Sequence, residues 1–175
     1  MSSTSAATSS NISTALIAEM EQEAATTRKC LERIPPEKFD FKPHEKSMPM
    51  RTLAVHVAEM FGWTMPAVAQ DELDFAKFDY KPAEPSTTAE LVEILDKNVA
   101  EALEALRGIP DDIWMKPWSL RNGETIYFTM PKAAVMRSMV LNHIVHHRGQ
   151  LTVYLRLNDI PVPALYGPSA DEGQM

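Results

Sequence analysis

The sequence has only one cysteine, Cys30, and no long hydrophobic run. A single cysteine excludes a fold stapled by disulfides within the chain and fits a reducing cytoplasm, where we place the protein. No stretch approaches the roughly 18 consecutive apolar residues of a membrane-spanning helix, so we expect no membrane partner. Residues 1–11 lack the basic and apolar regions of a secretory signal, and we predict a short disordered tail there.

Positively charged residues are also fewer than negatively charged ones. The chain carries 17 Lys and Arg residues against 24 Asp and Glu residues, a formal net charge of −7 at pH 7. A protein with this balance repels polyanions at a distance and offers no phosphate-neutralising surface. We therefore expect no nucleic acid as a partner.

The length and composition fit one ordinary globular domain. There are 175 residues, of which 45% are hydrophobic. A domain of this size buries roughly 70% of the surface of its unfolded chain and folds without disulfide or metal support. We predict a single domain over residues 12–175, in which a bound metal ion would serve function rather than folding.

Four segments have the composition and apolar period of long helices, and most Pro and Gly residues fall between them. They cover about residues 12–34, 50–70, 88–107 and 131–158. Residues 71–87 contain two prolines and no sustained period, which predicts a long crossover loop. The pair Asn122-Gly123 predicts a small hairpin or flap within residues 114–130. The sequence therefore predicts an all-α fold, a four-helix bundle with this loop and this flap.

The last predicted helix contains the string LNHIVHHRGQL, which holds three of the five histidines. Residues four apart on a helix differ by only about 40° around the axis and lie about 6 Å apart along it. His143 and His147 therefore present two imidazoles from one face, the spacing at which adjacent helical turns bind one metal ion. His146 lies about 100° from His147, so it shares such a site only if the pair is His143 with His146.

A third ligand has to come from another helix, and His56 is the best candidate. It recurs with Leu53 and Met60 at three- and four-residue steps, so its imidazole points toward the interior. Neutral imidazoles buried together without a shared cation leave nitrogens unsatisfied, at about 1–3 kcal/mol each. Three histidines without an evident fourth protein ligand leave a coordination position open, as in catalytic sites. The alternative is three unrelated core histidines, each bonded to a carbonyl or hydroxyl group.

Three other polar residues are candidates for a role near these histidines. Glu59 follows His56 by three residues and either orients an imidazole, takes a proton from water, or is a solvated helix-face residue. His44, in the loop before the second helix, is expected to be solvated. Arg148 either clamps an anionic substrate or pairs with an acidic residue on a neighbouring helix.

At these residues the sequence resembles the DinB-like family of metalloenzymes. The resemblance covers nearly the whole chain and rests on TRKCLERIP, FKPHEKSMPMRTLAVHVAE, the terminal PVPALYGPSADE, and HIVHHRGQLTVYLRL, which matches the family's H-x-x-x-H-R-G-Q stretch. It implies a four-helix bundle, often dimeric, with a three-histidine site for zinc, nickel or a similar divalent ion. It places His56, His143 and His147 at the three ligand positions.

Three functions compete for such a site. The resemblance implies a thiol transferase, in which a low-molecular-weight thiol such as bacillithiol, mycothiol or glutathione is activated by the ion and attacks an electrophile. A hydrolase would activate water instead, with Glu59 as a possible base. A stress-related metal-binding or scaffold protein would hold the ion without a substrate. We expect the transferase, acting on a small molecule as a cytoplasmic homodimer.

Overall fold

The computed structural model describes residues 11–173. The disordered tail predicted at residues 1–11 lies outside the described residues, apart from Asn11. The Asn11 side chain accepts a hydrogen bond from the backbone N–H of Thr14 at 2.8 Å. Because such a cap satisfies a free N–H group at a helix start, it fixes where the first helix begins.

The described part of the chain contains a small sheet and six α-helices. The helices are α1 (Ile12–Leu31), α2 (Met50–Glu59), α3 (Thr64–Ala69), α4 (Thr88–Leu106), α5 (Lys132–Val135) and α6 (Asn142–Leu157). They form four helical stretches, because short 3₁₀ and π segments join α2 to α3 and α5 to α6. The strands are β1 (Glu72–Asp74), β2 (Pro117–Asn122) and β3 (Thr125–Pro131). Within residues 11–173, no helix combines the length and the apolar character needed to cross a lipid bilayer.

Local hydrogen bonding and local backbone conformation explain where helix α4 begins and ends. The Thr87 hydroxyl accepts a hydrogen bond from the backbone N–H of Glu90 at 3.2 Å, which caps its first turn. Just past its end, Gly108 has a φ of +71°, a conformation that favours glycine. The sequence predicts both ends correctly because both signals are local.

The single helix predicted over residues 50–70 is interrupted. A 3₁₀ turn over Met60–Trp63 separates α2 from α3. Pro66 lies in the first turn of α3, where its missing N–H leaves no hydrogen bond unmade within the new helix. The turn therefore lets a proline-containing stretch continue as helix, and the segment predicted over residues 50–70 is helical as α2 and α3 with this turn between them.

The last helical stretch contains a π-helical segment. Met136–Leu141 joins α5 to α6 with the wider π geometry, so the helical path runs from Lys132 to Leu157. A π turn holds more residues per turn than an α-helix and changes the direction in which the following residues point. His143 lies two residues after this segment, so the π turn sets the orientation of the histidine string.

The prediction of an all-α fold is wrong, because the chain contains a three-stranded sheet in the order β1-β2-β3. The predicted hairpin is confirmed: β2 and β3 are antiparallel, and Gly123 takes a φ of +57° in the turn. The unexpected strand is β1, which pairs parallel to β2 from within the predicted crossover loop. Three residues are too few to show a strand period, so the sequence gives no signal for it.

The helical stretches share one hydrophobic core. Helix α1 packs against α4 and α6, and α2 packs against the same two helices. Fully buried side chains from each stretch meet there, among them Met20, Leu53, Leu91 and Ile144. The fold is predominantly helical, while the bundle topology and the single-domain bounds 12–175 stay predictions. This packing brings the middle of α2 against the first turns of α6.

Candidate metal centre

The three histidines predicted from spacing and period lie together where α2 packs against α6. His56 comes from α2, and His143 and His147 come from adjacent turns of α6. The ring centroids are 5.2 Å apart for His56 and His143, 4.7 Å for His56 and His147, and 4.6 Å for His143 and His147. One possible ligand atom from each residue lies within 4.8 Å of the other two. All three side chains are half-buried.

The nitrogens of His143 and His147 face each other closely. Their two Nε2 atoms are 2.8 Å apart. The His147 Nδ1 donates to the Gln150 Oε1 at 2.8 Å, since an amide oxygen only accepts. His143 makes a hydrogen bond to the backbone of Met139 that favours its protonated form, the effect of a carbonyl acceptor.

These hydrogen bonds determine which nitrogens carry lone pairs. If the His143 Nδ1 donates to the Met139 carbonyl as the His147 Nδ1 donates to Gln150, each neutral ring directs an unprotonated Nε2 toward the other. Two lone pairs at 2.8 Å repel unless a proton or a cation lies between them. Metal-ligating histidines bond their second nitrogen to a carbonyl or amide in this way. The donor set of His56, His143 and His147 therefore fits a divalent cation.

The surroundings hold all three imidazoles in the uncharged form. The pKa of His56 is lowered to about 4, mainly by burial and further by charge repulsion from His147 and His143. The pKa values of His143 and His147 are also lowered, first by burial. Because histidine binds metal only when neutral, these shifts keep the trio ready to ligate at neutral pH.

The lowered pKa values predict how the stability of the metal-free protein depends on pH. Between about 6.5, the ordinary histidine pKa, and about 4, the folded-state value of His56, the unfolded chain binds more protons. The free energy of unfolding should therefore decrease as the pH falls from about 7 to about 5. Urea denaturation at several pH values measures this, and the His56→Gln variant should show a shallower decrease. A constant wild-type stability over this range would contradict buried neutral imidazoles.

The other histidines of the described chain lie outside the trio. His146 is exposed, with its ring 4.8 Å from that of His147, and its Nε2 accepts a hydrogen bond from the Gln150 amide at 3.2 Å. His44 is exposed, as expected, and its Nδ1 accepts from the backbone N–H of Lys46. The structure therefore brings together the pair His143 and His147 rather than His143 and His146.

Glu59 lies one turn after His56, and its carboxylate is bonded elsewhere. It accepts hydrogen bonds from the Tyr80 hydroxyl and from the backbone N–H of Ala83, the latter at 3.1 Å. The same carboxylate lines a separate cavity of about 370 Å³ between the crossover segment and α4. Glu59 thus fastens the crossover segment to α2, and its role as a base stays a prediction.

Arg148 lies on a different face of α6 from the trio, and its side chain points toward α1. Its guanidinium forms a buried ion pair with Glu23 of α1 at 2.6 Å, with the two side chains 1% and 8% exposed. It also donates to the Thr27 hydroxyl at 3.0 Å. Of the two alternatives for Arg148, the structure has the pairing with an acidic residue of a neighbouring helix.

Gln150 is the functional candidate that the sequence reasoning missed. It bridges His146 and His147 through its amide, at 3.2 and 2.8 Å. It follows these residues by four and three positions, the two spacings at which side chains on a helix are neighbours. That spacing is the signal from which the contact is predictable.

The chain belongs to the DinB family, whose family model matches residues 2–174. Solved structures of similar fold include a DinB-like protein from Bacillus subtilis, 17% identical over 85% of this chain and 96% of that chain, with a TM-score of 0.69. A DinB-like protein from Bacillus cereus is 20% identical over 86% and 95%, with a TM-score of 0.66. A protein assigned to the DinB family from Exiguobacterium sibiricum is 24% identical over 86% and 94%, with a TM-score of 0.64. A search of curated proteins gives no match.

Proposed function

We propose that His56, His143 and His147 hold a divalent metal ion, zinc or nickel, and that the protein is an enzyme of the thiol-transferase type. The observation that carries this proposal is the convergence of three imidazoles whose possible ligand atoms lie within 4.8 Å of one another, with the second nitrogen of His147 bonded to Gln150. The trio is compatible with the DinB family as a metal-binding fold. Action in the cytoplasm as a homodimer on a small molecule belongs to the same proposal.

The thiol in such a reaction has to come from outside the chain. Cys30, the single cysteine, is buried, and burial raises its pKa to about 11. A thiol with that pKa is almost wholly protonated at neutral pH and therefore a poor nucleophile. A divalent cation held by three imidazoles, when bound, supplies the positive charge that lowers the pKa of an external thiol.

The residues of the chain prepare the site for this chemistry. Gln150 and the Met139 backbone orient two of the imidazoles, and half-burial of the trio limits access of water. In the reaction, the thiol gives its proton to solvent and its sulfur forms a bond to an electrophilic carbon. The leaving group departs with the electron pair of the bond that breaks.

The test is a panel of thiols and electrophiles. Metal-loaded protein is incubated with each thiol and with 1-chloro-2,4-dinitrobenzene, and thioether formation is followed by absorbance. We expect a rate above that of the matched His143→Ala variant for at least one thiol. The absence of such a rate with every thiol would contradict the proposal, while turnover of esters or amides without thiol would indicate the hydrolase. A metal-loaded protein inactive in both assays would indicate a metal-binding protein without catalysis.

The bridging position of Gln150 predicts an effect on metal affinity. Replacing Gln150 by Leu removes the acceptor that fixes the His147 tautomer, so the affinity for zinc should fall about 10- to 100-fold. Gln150→Glu keeps an oxygen acceptor and should stay much closer to the wild type. Competition with a chromophoric chelator measures both affinities. Equal affinities for Gln150→Leu and the wild type would show that the amide does not support the site.

A further inference from the structure

A groove opens along α6 next to the histidine trio. Its volume is about 350 Å³, and its lining residues are Lys46, Ser47, Met48, Gln150, Val153 and Tyr154. Gln150 belongs to the groove wall and also accepts the hydrogen bond from His147. The groove and the candidate metal centre therefore share a wall.

The loop on the far side of this groove is held in place by hydrogen bonds. The His44 imidazole accepts from the backbone N–H of Lys46 at 3.1 Å, and the His44 carbonyl accepts from the N–H of Ser47 at 3.0 Å. The Tyr154 hydroxyl donates to the Met48 carbonyl at 3.1 Å, which fastens the loop to α6. Lys46 consequently extends from an anchored backbone.

The charge in the groove has one sign. Lys46 is the only charged residue in the lining, in a chain whose net charge is −7. Within residues 11–173, the ion pairs formed by lysines are those of Lys77, Lys116 and Lys132, so the Lys46 ammonium is left without a carboxylate partner. Met48 and Val153 add exposed apolar walls, 38% and 55% accessible. The lining thus combines an unpaired cation with apolar surface.

The far end of the groove wall on α6 lies within the length of a small peptide-like molecule from His147. Gln150 and Tyr154 follow His147 by three and seven residues. At about 1.5 Å per residue, the wall on α6 extends from about 5 to about 10 Å beyond His147 along the helix axis. A tripeptide-sized molecule in extended form spans about 10 Å. With its thiol at the trio, such a molecule would extend along this wall, and the same groove is lined by Lys46.

We propose, on the basis of the function proposed above, that this groove binds the body of the thiol substrate and selects thiols that carry a carboxylate. The Lys46 ammonium pairs with the carboxylate, and Met48 and Val153 contact the aliphatic part. An unpaired cation in an otherwise uncharged groove is a specificity element for an anionic group.

Kinetics with two thiols of opposite charge test this proposal. Glutathione carries two carboxylates, and cysteamine carries an ammonium and no carboxylate. In Lys46→Glu, the ratio of the KM for glutathione to the KM for cysteamine should rise about tenfold, because one attraction is replaced by a repulsion. Lys42→Glu makes the same change in net charge at an exposed position outside the lining and should leave the ratio unchanged. An unchanged ratio in Lys46→Glu, or an equal rise in Lys42→Glu, would overturn the proposal.

A binding measurement separates this proposal from the proposed function. S-methylglutathione has no free thiol, and we expect it to shift the backbone amide resonances of residues 46–48 and 150–154 in the full-length, zinc-loaded protein. The shifts should weaken in Lys46→Glu and persist in Lys42→Glu. Shifts confined to other residues, or unchanged in Lys46→Glu, would overturn the groove assignment. If the groove binds this probe but no thiol supports turnover, the proposed function fails and the groove stands.

Discussion

On the function proposed above, the variant His143→Ala should lose the bound metal ion and, with it, the proposed thiol-dependent activity. His143 supplies one of three imidazoles whose ligand atoms lie within 4.8 Å of one another, and its Nε2 faces that of His147. Loss of an outer partner of a ligand costs about 10- to 100-fold in affinity, so loss of the ligand itself should cost more than about 100-fold. Elemental analysis of purified protein and chelator competition measure this loss.

His146→Ala is the matched control for this experiment. It removes an imidazole from the same helix, but His146 is exposed and outside the trio. We expect this variant to keep its metal content and most of its affinity. Because the ion binds only the folded protein, added zinc should raise the melting temperature of the wild type and His146→Ala, and have little effect on His143→Ala. Equal metal content in His143→Ala and His146→Ala would show that the ligand set is wrong.

The candidate site was predictable where it depends on helix periodicity. The spacing of His143 and His147 requires only a regular helix, and the inward direction of His56 follows from the apolar stripe that it shares with Leu53 and Met60. Both regularities are properties of one segment. The packing of α2 on α6, which brings the trio together, follows from burying both stripes in one core.

The features that the sequence did not predict depend on contacts between segments or on irregular backbone. Strand β1 forms because Leu73 pairs with Leu120 of the hairpin, a contact between distant segments that the pattern of three residues does not predict. The 3₁₀ turn before α3 and the π turn before α6 interrupt helices without a local stop signal strong enough to end them. The groove beside Gln150 depends on the folded conformation of the loop at Lys46, which has no periodicity.

The adjacent residues His147 and Arg148 of α6 contact two different helices. Adjacent residues on a helix point about 100° apart, so His147 faces α2 and Arg148 faces α1. The Tyr166 hydroxyl donates to the Glu23 carboxylate at 2.9 Å and itself accepts from Arg148, which adds the C-terminal segment to the pair. The Arg148 guanidinium also lies 5.2 Å from the centroid of the Tyr166 ring. This network holds the helix that carries two of the three histidines.

Replacing Arg148 by Met should therefore destabilise the protein strongly. The change leaves the Glu23 carboxylate buried without its cation, which costs about 3–5 kcal/mol of the free energy of unfolding. The double variant Glu23→Leu with Arg148→Met should recover part of the loss, since no charge is then left buried. Urea denaturation with linear extrapolation measures each value.

The pair Arg137 and Glu19 provides the comparison, because it joins the same two helical stretches at the surface, with side chains 52% and 38% exposed. Arg137→Met makes the same chemical change in contact with solvent, so it should cost less than about 1 kcal/mol. A loss of that small size for Arg148→Met would mean that the carboxylate of Glu23 stays hydrated in the variant. A strong loss only for Arg148→Met would show that burial, rather than charge pairing alone, makes this ion pair necessary for the fold.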